Sequence, residues 1–428
     1  MRAKKVILLI ALFTLLFTGC ESSNRKESKR EAATLNVFFK TNYYSGYRDN
    51  RELAARLQHK FPHLAFNFYL VGFHQDGAAG SALSYRELLA KGVTPDLILE
   101  NVMTLVPQFV QEGLAVDQSA GVRSEHVDLG KFQPELLDHI RSWSAHGDLY
   151  ALPYRSRLYA LFYDKNQLQL SGVVLRNNMT WDEIDVAPLK DNLYLHNYPE
   201  AAWDSIESQY GLSYIDPVTQ KAKIDTDSWR QALQLWQRMS ESKADRQAMA
   251  LSSTEFRPLL MKEWDMVSYP QLADKPGRGP NGLGDVIAVP MLSEHRQEAY
   301  EVMAYMVSDA FQLENARSGF PSVLDNKEVR EQFGADDPNY AGKNVAALFA
   351  LSNAVRPSQI SRYDRSNWML DPGSYNDEVE NVLRLLASGM VDVEGAVKKL
   401  ELAVDNNLIK LKDKIEQFDT QMQNKALK

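Results

Sequence analysis

The sequence predicts an α/β protein whose chain is divided between two lobes. Helix and strand patterns alternate through its first third, which is typical of a mostly parallel sheet. Residues 147–168, GDLYALPYRSRLYALFYDKNQL, contain two apolar runs typical of strands, separated by the polar triplet Arg155-Ser156-Arg157. A strand that turns polar midway and then resumes indicates that the chain leaves one lobe for another. The length of 428 residues allows two or three domains.

The first 24 residues have the pattern of an export signal. Three basic residues precede an apolar run at 6–17, which is shorter than the ~20 residues that span a bilayer. The only cysteine of the chain, Cys20, follows directly in the sequence LFTGC, a pattern typical of a lipobox. We expect residues 1–19 to be a lipoprotein signal peptide and Cys20 to carry the lipid. The alternatives are a chance thiol or an uncleaved anchor.

Composition argues against several classes of partner. The formal net charge is −8, and loss of the three basic residues of the signal makes it −11. An acidic body argues against a nucleic-acid partner and against binding of anionic lipid through the protein surface. Without a cysteine beyond Cys20, a disulfide or a thiolate metal site is excluded. Residues 20–33 are polar and charged, and we expect them to be a flexible tether.

The globular part begins at Thr34 with alternating elements. Strands are predicted at 35–40, 64–71 and 97–99, and helices at 49–61 and 84–91. Asp49 and Glu52 predict a capping box at the start of the first helix.

Beyond the polar triplet the chain is more helical. Thr180 and Glu183 predict a second capping box. Residues 226–240 place an apolar stripe on one helix face, interpreted as core packing. Extended segments are expected at 266–270 and 284–291, and helices at 297–308, 378–387 and 394–408.

Gly277, Gly279 and Gly282 have the G-x-G-x-x-G spacing of a dinucleotide-binding motif, but the sequence around them does not fit that motif. Pro280 interrupts it, and an apolar strand follows where the motif requires a helix. The loop either needs a glycine at positive φ or lies at a cleft edge that presents Arg278 to a ligand. Dispersed histidines and missing hydrolase and P-loop motifs predict neither a cofactor, nor a metal, nor a catalytic group.

Three stretches resemble the interlobe crossovers of one family. They are G-x-Y-x-L-P-Y … L-F-Y-x-K at 147–165, D-M-x-x-Y-P … G-L-G-D-V-I-A at 265–288, and Gly319-Phe320-Pro321-Ser322. The sequence resembles the family 1 extracellular solute-binding proteins, the lipoprotein receptors of ABC importers related to maltose-binding protein. The resemblance implies a two-lobed periplasmic-binding-protein-like fold of type II, with three interlobe crossovers. The first lobe would comprise 34–154 and 270–319, and the second 155–269 and 320–428.

Aromatic and polar residues cluster at the predicted strand ends and crossovers. Ligands of open α/β sheets bind beyond the carboxyl ends of the strands, and small-molecule pockets favour domain interfaces. Each tyrosine alone is more often a half-buried rim residue, but together the cluster favours a cleft that would suit a sugar. The predicted ligand-binding residues are Asn42, Tyr43, Tyr44, Glu100, Asn101, Tyr154, Arg155, Tyr269, Arg278, Trp368 and Tyr375.

The resemblance also implies a function. It implies a monomeric, lipid-anchored protein on the extracytoplasmic face of the cell membrane that binds a carbohydrate, such as an oligosaccharide. The closed, ligand-bound form would dock on the permease subunits of an ABC importer, and catalysis is not implied. The alternatives are an exported glycan-acting hydrolase and a ligand-presenting subunit of a membrane sensor.

Overall fold

The computed structural model describes most of the globular part of the chain. The described residues are 32–40, 46–71, 83–100, 106, 109, 113–144, 146–171, 174–184, 193–195, 199–240, 249–253, 263–353, 364 and 375–426. Among the helices of these ranges, none combines the length and the apolar character that a membrane span requires.

The strands of the described ranges form two sheets. The strands are β1 (Ala33–Lys40), β2 (Leu64–Leu70), β3 (Leu97–Glu100), β4 (Leu152–Pro153), β5 (Tyr159–Asp164), β6 (Leu193–Leu195), β7 (Met249–Ser253), β8 (Trp264–Ser268) and β9 (Val286–Ala288). The three strands predicted in the first third are confirmed, with ends that shift by at most two residues.

The helices pack on both sheets. They are α1 (Gly46–Lys60), α2 (Tyr85–Ala90), α3 (Ser119–Ser124), α4 (Pro134–Arg141), α5 (Lys165–Ser171), α6 (Trp181–Ile184), α7 (Pro199–Tyr210), α8 (Asp227–Ser240), α9 (Arg296–Met306), α10 (Asp309–Arg317), α11 (Lys327–Glu331), α12 (Tyr375–Ala387) and α13 (Val393–Ala426). The capping box predicted at Asp49 is wrong, because α1 begins at Gly46 and Asp49 lies inside it.

The first sheet joins strands from distant parts of the chain. Its order is β2-β1-β3-β9-β4, with β1 parallel to β2 and β3, and with β9 antiparallel to β3 and β4. The register places Lys40 opposite Glu100, Glu100 opposite Val286, and Val286 opposite Pro153. Since β1, β3 and β4 run in one direction, this row marks the carboxyl edge of the sheet.

The second sheet has the order β6-β7-β5-β8, in which β5 is antiparallel to both of its neighbours. The apolar face predicted for α8 is confirmed as core. Its buried members include Trp229, Ala232, Leu233, Trp236 and Met239.

Two large apolar cores correspond to the two sheets. The first core contains residues from 35–154 and from 283–324, and the second contains residues from 161–272 and from 379–408. Val323 and Leu324 pack in the first core, a few residues beyond the expected lobe boundary at 319. The other face of the second sheet carries a smaller cluster that includes Phe162, Met266 and Tyr340.

Candidate functional site

Three extended segments lie side by side at, or just before, the places where the chain passes between the two cores; the third precedes Leu324, which still packs in the first core. We call them the first crossover (154–157), the second crossover (281–285) and the third crossover (320–323). The first and second pair through their backbones: the Tyr154 N–H donates to the Asp285 carbonyl over 2.9 Å, and the Asp285 N–H donates to the Arg155 carbonyl over 3.0 Å. The Arg157 N–H donates to the Gly282 carbonyl over 2.7 Å.

The first crossover also bonds to the third. The Ser156 N–H donates to the Pro321 carbonyl over 3.0 Å, and the Ser156 hydroxyl donates to the Ser322 carbonyl over 2.9 Å. The first crossover therefore lies between the other two, and the three segments form a continuous hydrogen-bonded hinge.

One buried amide fixes the hinge to α10. The Gln312 Nε2 donates to the Tyr154 and Met306 carbonyls, each over 2.8 Å. Its Oε1 accepts from the Ser322 hydroxyl over 2.9 Å and from the Val323 N–H over 3.0 Å. The amide of this fully buried side chain thus uses both donors and both acceptor positions.

Glycine is required where the first and second crossovers meet. A Cβ at Gly284 would lie 2.8 Å from the Arg155 carbonyl oxygen, and this backbone neighbour is itself hydrogen bonded in the hinge. The close pairing of the two segments therefore depends on the missing side chain.

The carboxyl edge of the first sheet adjoins this hinge, and two described residues among the predicted ligand contacts, Glu100 and Tyr154, lie there. Glu100 ends β3 within the edge row, and the segment after β4 enters the first crossover at Tyr154. Asn42, Tyr43 and Tyr44 follow β1 closely in sequence, and Asn101 follows β3, but these four lie outside the described residues.

Glu100 and Tyr154 both have structural contacts. The Glu100 carboxylate is fully buried and accepts a hydrogen bond from the Val106 N–H over 2.8 Å. Tyr154 is buried in the first core, where its backbone bonds to Gln312 and Asp285. These interactions therefore do not support the prediction that Glu100 and Tyr154 contact a ligand.

Arg155 makes contacts across the hinge. Its Nη1 lies 3.3 Å from Asp285 Oδ2, and the two side chains are only 14% and 5% exposed. Its guanidinium carbon lies 4.0 Å from the ring centre of Phe320, in the third crossover. The arginine therefore links all three crossovers at the place where a ligand is predicted.

Tyr269 and Arg278 lie on the second-lobe side. Tyr269 is 2% exposed in the second core, and its hydroxyl is 2.6 Å from the Ser205 hydroxyl. Burial raises the pKa of Tyr269 well above its ordinary value. The Arg278 guanidinium lies beside Gly211, and burial lowers its pKa. Tyr269 and Arg278 therefore both pack against residues of the second lobe.

The remaining predicted positions are only partly described. Tyr375 opens α12, but its side chain lies outside the described residues, as do Trp368 and Cys20. In the glycine loop, Gly277 has a φ of 78°, and extended chain and β9 follow rather than a helix N-terminus. Within the described ranges, no group of three or more acidic, histidine or cysteine side chains is placed to hold a metal ion.

The sequence reasoning missed Gln312 and Asp285. Gln312 lies one turn before the buried Ala316 and next to the buried Phe311, so it is a polar residue on the apolar face of α10. A polar residue on an otherwise apolar helix face was the signal from which its structural role could have been predicted. Asp285 stood in the quoted D-V-I-A stretch, but its pairing with Arg155 depends on residues 130 positions apart.

Solved structures of solute-binding proteins share the fold over nearly their whole length. The sugar-binding protein MalE from Xanthomonas citri has a TM-score of 0.64 and 18% identity, with 90% of this chain and 99% of that chain covered. An ABC substrate-binding protein from Listeria monocytogenes, in complex with cycloalternan, has a TM-score of 0.64 and 14% identity, with 88% and 99% covered.

A third solved structure has a different ligand. It is an ABC transporter solute-binding protein from Thermotoga lettingae, bound with α-D-tagatose. It has a TM-score of 0.64 and 16% identity, with 88% of this chain and 100% of that chain covered. No protein-family model matches the sequence, and no curated protein is significantly similar to it. The fold is therefore that of the two-lobed ABC solute-binding proteins, which confirms the fold class that the resemblance implied.

Proposed function

We propose that this protein is the solute-binding component of an ABC importer and that it binds a carbohydrate between its lobes. The observation that carries the proposal is the hinge of three paired crossovers, which adjoins the carboxyl edge of the first sheet. A ligand at this edge contacts both lobes only when they close, so binding selects the closed state. The closed form then delivers the ligand to membrane permease subunits.

The ligand class is supported by two independent considerations. Cycloalternan and α-D-tagatose, the ligands of two proteins with this fold, are both carbohydrates. In addition, the residues that follow β1, Asn42, Tyr43 and Tyr44, combine aromatic rings with an amide. Rings pack on the apolar faces of sugars, while amides and carboxylates bond to the hydroxyl groups. The protein is expected to act as a monomer.

A thermal-unfolding screen against mono- and oligosaccharides tests the binding function. A true ligand at ~100 times its dissociation constant adds about 2.7 kcal/mol to the free energy of unfolding. The ligand should be recovered unchanged after prolonged incubation. Turnover of a stabilising sugar would establish the hydrolase alternative, and a panel without any stabilising sugar would contradict carbohydrate binding.

A matched pair of variants locates the site. Tyr43→Ala should remove most of the stabilisation by the sugar found in the screen. Tyr163→Ala should retain it, because Tyr163 lies at the end of β5 remote from the first crossover, roughly 13 Å from Tyr159. Equal losses in both variants would place the ligand elsewhere.

We further propose that Cys20 anchors the protein on the extracytoplasmic face of the cell membrane. The proposal rests on the first 20 residues, in which basic residues, an apolar run and a cysteine follow one another in that order. Cys20→Ala should move the protein from the membrane fraction to the soluble fraction, whereas Ser22→Ala should leave it with the membrane. Continued membrane fractionation of a processed Cys20→Ala protein would exclude the lipid as the anchor.

A further inference from the structure

A polar link joins the two lobes beside the hinge. The backbone N–H of Asn281, in the second crossover, donates to the Ser208 hydroxyl over 3.0 Å. The side-chain Nδ2 of Asn281 lies 2.7 Å from His139 Nδ1. His139 belongs to α4 and Ser208 to α7, so one hinge residue bonds to a helix of each lobe. We call His139, Asn281 and Ser208 the interlobe latch.

Both helices are anchored in their own cores. His139 is 4% exposed, and its neighbours Leu136 and Ile140 are buried in the first core. Trp203 and Ile206 of α7 are buried in the second core. A rotation of one lobe against the other therefore moves the two ends of the latch relative to each other.

The surrounding hydrogen bonds determine which latch atom donates. The Leu283 N–H donates to Asn281 Oδ1 over 3.0 Å, which fixes the orientation of the amide. Asn281 Nδ2 therefore faces His139, and an amide nitrogen can only donate. His139 Nδ1 must accept, so the imidazole is neutral and carries its proton on Nε2. The Ser208 hydroxyl accepts from Asn281 and donates to the Ser205 carbonyl over 3.0 Å.

We propose that the interlobe latch holds the lobe arrangement described here and that protonation of His139 releases it. A protonated imidazole donates from both nitrogens, so Nδ1–H would face the Asn281 amide N–H groups and the bond would be lost. Histidine ordinarily titrates near a pH of about 6.5. The inference goes beyond the proposed function, because it concerns how acid changes the opening equilibrium of the ligand-free protein.

All three elements of the latch carry charged groups. The first-lobe helix carries an ion pair between Asp138 and Arg141 at 3.8 Å, and His139 itself packs edge-on against Trp143. The other charged residues on the latch elements are Glu135 on α4, Glu200, Asp204 and Glu207 on α7, and Asp285 in the second crossover, with Arg278 three positions before that crossover. Glu207 accepts a hydrogen bond from the Tyr214 hydroxyl over 2.7 Å.

Small-angle X-ray scattering of the ligand-free protein at pH 7.5 and pH 5.0 tests the proposal. Loss of one hydrogen bond should change the ratio of the two lobe arrangements by about fivefold, seen as a pH-dependent radius of gyration. His139→Gln keeps an acceptor that does not titrate, so its radius should be the same at both pH values. The control His59→Gln, at an exposed position of α1, should retain the wild-type response.

Ser208→Ala provides a second route to the same result. It removes the acceptor of the Asn281 N–H and should resemble the acidified wild type at both pH values. Melting curves confirm that each variant is folded. A wild type without pH response, a His139→Gln variant that keeps it, or a Ser208→Ala variant that matches wild type would each overturn the proposal. Because no ligand is used, failure here is distinguishable from failure of the proposed function.

Discussion

The guanidinium of Arg155 contacts the second and third crossovers at once. It pairs with Asp285 and stacks on Phe320, and the side chains of Arg155 and Asp285 are both largely buried. We expect Arg155→Ala to lower the free energy of unfolding by about 3 kcal/mol, because the Asp285 carboxylate loses a cation while remaining out of water. Urea unfolding at pH 7 measures the change.

A surface ion pair is the control for this substitution. Arg176 pairs with Glu183, but its side chain is 59% exposed, so Arg176→Ala should cost less than about 1 kcal/mol. If Arg155→Ala costs no more than this control, the hinge contacts of Arg155 are not structural. Sugar affinity measured on the folded Arg155→Ala protein then tests the predicted ligand contact separately.

At the scale of elements, α10 is tied to two crossovers by the Gln312 amide. Gln312→Leu has a similar volume but leaves the Tyr154 carbonyl and the Val323 N–H without this partner. We expect a loss of about 3 kcal/mol in the free energy of unfolding, since each buried group left unsatisfied costs about 1–3 kcal/mol. The measurement is chemical unfolding.

The matched control is Gln332→Leu. Gln332 is exposed and accepts one hydrogen bond from Arg317 over 2.9 Å, so its replacement should change stability by less than about 1 kcal/mol. Similar losses in the two variants would mean that the buried amide does not hold the hinge together.

Elements with strong local patterns were predictable from sequence, and others were not. The capping box at Thr180 is confirmed, because the Thr180 N–H donates to Glu183 Oε2 over 2.7 Å and the Glu183 N–H donates back to Thr180 Oγ1 over 3.3 Å. Strand β7 was missed, because MALSS contains no β-branched aliphatic or aromatic residue and forms a strand only through its neighbours. The helix predicted at 394–408 continues to Ala426.

The candidate site was likewise only partly predictable from the sequence. The sequence predicted the strands β1 and β3, and the structure places their carboxyl ends at one edge, but the ligand contacts predicted beyond that edge remain a prediction. The hinge contacts could not be predicted, because they join residues far apart in the chain. Gln312 and Tyr154 are separated by 158 positions, and Asn281 and His139 by 142. Only the folded topology brings such pairs into contact.

At the scale of the whole molecule, several carboxylates link stability to pH. Hydrogen bonds lower the pKa of three carboxyl groups: the Thr180 N–H does so at Glu183, the Thr219 N–H at Asp216, and the Arg230 guanidinium at Glu394. A carboxyl group whose pKa is lower in the folded state stabilises the protein above its unfolded pKa of about 4, and this contribution is lost as the pH falls through the folded value.

We therefore expect the melting temperature to fall on acidification below about pH 4.5. Asp216→Asn should be less stable than wild type at pH 7, and the difference should narrow towards pH 3 as the wild-type carboxylate is protonated. Melting curves across this range measure both. A gap between the two proteins that stays constant with pH would contradict the assignment.

The position of β9 between β3 and β4 has a consequence for the order in which the protein folds. The first sheet cannot close until residues 286–288 arrive, although its other strands are complete by residue 153. A growing chain therefore exposes two open strand edges while the whole of the second sheet is synthesised. Contacts between such distant segments form slowly, so the closure of the first sheet waits for β9, the last of its strands to be made. In the export proposed from the first 20 residues, that delay would keep the first sheet open while the chain crosses the membrane.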